Sequence, residues 1–170
     1  AVMVYLVKQR QDIRQRASTT TGTMAVNLSP GSTIIPPGSV ATIDVRVISR
    51  ATSAFDGLQI VAQLSGTIPN NIQFQPATIP GLQMVKSEIT TVNTKRLLRI
   101  AFLTTNPTQP YIATASSSIA SVIKLGELTF TAPQQGQMTV HFDPTLSKIM
   151  THATSSSGVT VQDILAIPTD

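Results

Sequence analysis

The chain has 170 residues, of which 41% are hydrophobic and only 12% charged; it has no cysteine and no tryptophan, and its formal net charge is +4. That length suits one sizeable domain, and the absence of cysteine excludes a disulfide framework, a thiolate metal site and a cysteine nucleophile. The basicity does not point to nucleic acid, because residues 1–16 carry +3 of the charge and the rest only +1, with no basic face and few aromatics.

Residues 1–18, AVMVYLVKQRQDIRQRAS, differ from everything that follows. Seven apolar residues run into Lys8, Arg10, Arg14 and Arg16, with Asp12 opposing them. A membrane span needs about 20 apolar residues, so this stretch is at most the outer end of one, and basic residues just outside a span oppose the positive-inside tendency. As a helix it has only Leu6 and Ile13 for a stripe. As a strand it is better suited: Val2, Val4, Tyr5 and Val7 favour extended structure, and a donated strand can fill a groove in a neighbouring subunit. The expectation is a connector in which Val2, Val4, Tyr5, Leu6, Val7, Lys8, Arg10 and Arg14 serve as an anchor or assembly handle. Residues 19–23 form a polar linker, and residues 24–170 form the body.

From Met24 onward, alternation with period 2 dominates. MAVNLSPGSTIIPPGS reads as short strand, turn, short strand, turn, with Pro30-Gly31 and Pro36-Pro37-Gly38 as breakers. Ala41, Ile43, Val45 and Val47 then share one strand face. Leu58, Ile60, Ala62 and Leu64 share another, with Gln59 and Gln63 opposite. Leu98, Ile100 and Phe102 repeat the pattern, followed by Leu128, Phe130 and Ala132, by Met138, Val140 and Phe142, and by Val159 and Val161. Tyr111–Ile123 is a weak, Ser-rich helix candidate, expected to be a loop with one turn at most. Gly- and Pro-containing breakers separate these elements, so the fold class expected is all-β, an antiparallel sandwich of about nine strands.

KLGELTFTAPQQGQMTVHFDPTLSKIM (Lys124–Met150) combines a G-E-L-x-F-x-A strand, a Gly turn, a T-V-x-F strand and a polar D-P-x-x-S-K-I stretch. This resembles the C-terminal half of cohesin domains and related carbohydrate-binding modules. NLSPGSTIIPPGSVATIDVRVIS resembles their first two strands and FDGLQIVAQLSG the third, although TIPNN stands where that family usually has Y-D-P. The resemblance covers about Met24 to Ile167. It implies a jelly-roll sandwich of nine strands, extracellular or on a cell surface, without catalysis or cofactor. The partners implied are a dockerin-like protein, a polysaccharide or further copies of the chain. Membrane contact is expected through residues 1–18 alone.

Chemistry-bearing residues are sparse. His141 alternates outward, and a catalytic or metal site would need it, or His152, to converge with Glu127 or Asp163. The acids Asp44, Asp56, Glu88, Glu127, Asp143 and Asp163 read as single residues, whereas a glycosidase needs two facing carboxylates. Asp143 with loop carbonyls could hold calcium, but Asp-Pro more often shapes a turn. Asn27-Leu28-Ser29 is a formal glycosylation sequon explained by chance in a Ser/Thr-rich chain. The functional expectation is a non-enzymatic structural subunit that self-assembles through residues 1–18, with a membrane-anchored binding module as the alternative.

Overall fold

A computed structural model describes residues 24–155 and 158–163 of the chain, with side chains up to Thr151. The described residues form twelve strands: β1 (Met24–Ser29), β2 (Val40–Ser49), β3 (Ser53–Phe55), β4 (Gly57–Gly66), β5 (Gln73–Pro76), β6 (Leu82–Val92), β7 (Lys95–Thr104), β8 (Tyr111–Ala113), β9 (Ser121–Thr131), β10 (Met138–Phe142), β11 (Lys148–Ser155) and β12 (Gly158–Asp163). Nine have five or more residues, and β3, β5 and β8 are shorter pieces. One sheet runs β1-β2-β9-β5 and the other β12-β11-β4-β7-β6, with β10 also on β4; β3 and β8 form a small ribbon. All pairings are antiparallel, so the chain folds as the antiparallel β-sandwich its alternation specifies.

The core lies between the sheets. Val45 and Val47 of β2, Ile60 of β4, Leu98 and Ile100 of β7, Leu125 and Leu128 of β9 and Ile149 of β11 are fully buried in one cluster. Each such side chain contributes about 1.5–3 kcal/mol when removed from water. A one-residue slip would turn a whole row outward, which pins the register.

Two devices shape the four-stranded sheet. Leu125 and Gly126 form a bulge against β2, where the register shifts between Val45 and Arg46. Gly126 also lets β5 approach, because a Cβ there would lie 2.4 Å from the Gln75 carbonyl oxygen and 2.4 Å from Cζ of Phe74.

Three sequence expectations need correction. The short strand expected in STII is irregular, because only Met24–Ser29 pairs with β2 on that side. Tyr111–Ile123 contains no helical turn: Tyr111–Ala113 pairs with β3, Ser121 begins β9, and the Ser-rich residues between are irregular. An eleven-residue strand, β6, stands where no strand was expected. Its alternation is broken by a bulge at Val85, between Met84 and Lys86. Its turn into β7 uses Asn93 and Thr94, both left-handed with φ of 47° and 67°. Those angles suit a type I′ hairpin, whose usual signature is Asn-Gly.

Candidate functional site

Alternation gives each sheet an outer face, and charged strand residues stand on both. On the four-stranded sheet, Asp44 of β2 lies opposite Glu127 of β9, and Arg46 lies opposite Lys124. Asp44 pairs with Arg46, and its Oδ1 sits 2.9 Å from Nζ of Lys124, which also donates to Glu127. The acids therefore do not all stand singly, as the sequence suggested: strand register brings two together, and one ammonium joins them. Hydrogen bonds from Arg46 and then Lys124 hold the Asp44 carboxyl below its ordinary value. Bonding to Glu127 first and to Asp44 second holds Lys124 above its own. An ionised carboxylate locked to two cations is a poor proton donor at neutral pH, so this quartet is suited to bracing the bulge and not to acid catalysis.

Asn27 of the sequon lies in β1 opposite Arg46, within a paired strand and not on a loop. Its side-chain oxygen is buried and has no hydrogen-bond partner among the described residues.

The outer face of the six-stranded sheet is built differently. Cross-strand register sets Gln59, Val61 and Gln63 of β4 beside Ala101, Arg99 and Leu97 of β7. Glu88 and Lys86 of β6 continue the Arg99 and Ala101 rows, and Lys148 of β11 continues the Gln59 row. The sequence cluster Lys95–Arg99 is thus split by alternation. Arg99 joins this outer face, while Arg96 turns to the Pro69 carbonyl.

β10 and β11 lie along the same edge of β4, the first against Ala62–Gly66 and the second against Gly57–Gln59. Between them residues 143–147 leave the ladder opposite Val61. Asp143 Oδ1 accepts hydrogen bonds from the Thr145 amide, the Thr145 hydroxyl and the Leu146 amide at 2.8, 2.7 and 3.0 Å. These bonds, the Thr145 hydroxyl foremost, depress its pKa. Asp143 is accordingly a turn-former whose Oδ1 is already engaged.

Ser147 closes the gap in the ladder. Its hydroxyl accepts from the Val61 amide at 2.9 Å and donates to the Val61 carbonyl at 3.1 Å. The excursion is further tied down where Gln59 Nε2 donates to the Leu146 carbonyl at 2.9 Å. Val61, which points outward between Gln59 and Gln63, is therefore only 2% exposed.

Gln59, Val61, Lys86, Arg99, Ala101 and Leu146 line a depression of about 160 Å³ on this face. Glu88 Oε1 is 3.0 Å from Lys86 Nζ and 3.6 Å from Arg99 Nη1. The latter is too long for a hydrogen bond, and Glu88 is the only ion-pair partner of Arg99 among the described residues.

The expected handle residues Val2, Val4, Tyr5, Leu6, Val7, Lys8, Arg10 and Arg14 lie outside the described residues. His141 faces outward opposite Gln63 on the six-stranded sheet, whereas Glu127 faces outward on the other sheet, so the two do not converge. The side chains of His152 and Asp163 are outside the description. Among the described residues no group of three or more His, Cys, Asp or Glu could hold a metal ion. No helix among them is long and apolar enough to cross a membrane. Sequence reasoning assigned neither Arg99 nor Val61 to a site; the available signal was an apolar residue interrupting the Gln59/Gln63 row.

Compared with known proteins, the chain matches no family model and no curated protein.

Proposed function

We propose that the chain is a non-catalytic, cohesin-like module of a cell surface, which presents the outer face of its six-stranded sheet to a protein partner. The observation that carries this reading is the make-up of that face. Side chains of five strands form it, a buried hydroxyl stitches its interrupted edge closed, and an arginine with unsaturated donors stands near its middle. Arginine over an apolar floor is a common centre of protein interfaces. A sugar would instead be expected to stack on an exposed aromatic ring. Phe55, Phe74, Phe102, Phe130, Phe142 and Tyr111, the aromatics of the described body, all belong to the core or pack against it, which favours protein over polysaccharide. An extracellular setting is supported by the low charge and Ser/Thr-rich surface.

The test is capture by the full chain from the cells that make it, comparing Ala101→Glu on this face with Thr42→Glu on the other. An interactor lost with the first variant and kept with the second supports the proposal; an interactor kept by both, or lost with both, refutes it.

Self-assembly through residues 1–18 is a second reading, favoured by one feature. Ala25, Ile48 and Val122 form an apolar row across β1, β2 and β9, next to Met24, the first residue of β1. Light scattering on the full chain and on a 19–170 variant decides this reading. It requires oligomers that vanish with the deletion.

A further inference from the structure

The depression beside Arg99 has a charge imbalance that selects among partners. Two cations, Lys86 and Arg99, share one carboxylate, and both approach the same oxygen of Glu88. One more carboxylate would neutralise the pair. Arg99 is half-buried, with 34% of its side chain exposed, and its guanidinium has no hydrogen bond among the described residues. Such a group can still present two parallel N–H donors to a carboxylate. Val61 and Ala101 provide an apolar floor on which that contact is partly shielded from water, and Leu146, 45% exposed, stands at the rim. The depression, of about 160 Å³ and open to solvent, has room for a single side chain.

We infer that this depression receives an aspartate or glutamate side chain of the docked protein, with Arg99 as its bidentate anchor and Lys86 as a second cation. The inference rests on the six-stranded face being the binding face. Charge complementarity gives the occupant its chemistry: an acidic segment of a protein, as opposed to a neutral or basic one.

The experiment uses the full chain labelled with ¹⁵N and two probes, acetyl-(Gly-Glu)3-amide and its glutamine counterpart. Saturable shifts at the Arg99 Nε–H and at the Val61, Ala101 and Gln59 amides are expected with the glutamate peptide and not with the glutamine peptide. Arg99→Gln should abolish them. Lys86→Gln should weaken binding about two- to fivefold, the range of an exposed ion pair. Equal shifts with both peptides, shifts centred elsewhere, or unchanged binding by Arg99→Gln would overturn the inference. Failure here is separable from failure of the face. Partner capture lost in Ala101→Glu but intact in Arg99→Gln removes the acidic anchor and leaves the face, whereas capture intact in Ala101→Glu removes both.

Discussion

Ser147→Ala removes one oxygen from the centre of the six-stranded sheet, and its cost follows from what that oxygen does. The side chain lies in a residue only 1% exposed, so water cannot readily replace it. The Val61 carbonyl keeps the Asp143 amide at 2.8 Å, so it stays satisfied. The Val61 amide has only the Ser147 hydroxyl at 2.9 Å and would become a buried donor without an acceptor. That situation costs about 1–3 kcal/mol. For a domain of this size it corresponds to a fall in Tm of roughly 2–4 °C per kcal/mol. Urea unfolding followed by circular dichroism measures the effect, with an unchanged m-value expected because the folded surface is the same. The Val61 amide should also exchange its hydrogen faster. A loss below about 0.5 kcal/mol, within the range of ordinary surface substitutions, would show that the hydroxyl does not substitute for a missing ladder partner.

Further outcomes follow from other elements. Thr94→Gly should stabilise the protein by about 0.5–1 kcal/mol, because a β-branched residue at φ 67° carries a steric cost that glycine does not; a destabilised variant in thermal denaturation would contradict the hairpin assignment. Gly126→Ala should destabilise by about 1–3 kcal/mol, the range for overpacking, since the Gln75 carbonyl would have to move; unfolding midpoints measure it. Asp44 and Asp143 have folded-state pKa values below 3.8, so their stabilisation is present above that pH and lost as pH falls through the lowered values. Lys124 has a value raised above 10.5, so its contribution is present below that pH and lost as pH rises beyond it. Denaturation across pH should show a plateau between these limits, and Asp44→Asn with Asp143→Asn should flatten the acid limb.

The sandwich was legible because its core strands alternate cleanly. Ala41 to Val47 and Leu58 to Leu64 turned one face to the core as their period requires. β6 was hidden because a bulge at Val85 breaks the period and because Asn93-Thr94 lacks the glycine that normally marks such a hairpin. The candidate site was less legible still. Val61 reads as a stray apolar residue until the 143–147 excursion covers it, and that excursion is tied down by the Ser147 hydroxyl, 86 positions from Val61 in the chain. Pairing of Asp44 with Glu127 likewise depends on β2–β9 register, which no local pattern encodes. The connector expected in residues 1–18 rests on composition and charge, outside the described residues.

The central claim is that the six-stranded face, and not the four-stranded one, meets a protein partner. A photo-crosslinking residue placed at position 101, and separately at position 42, in the full chain on cells that produce it tests this most directly. The account expects a discrete protein adduct from position 101 and none from position 42. An adduct from position 42 alone, or none from either, would contradict it.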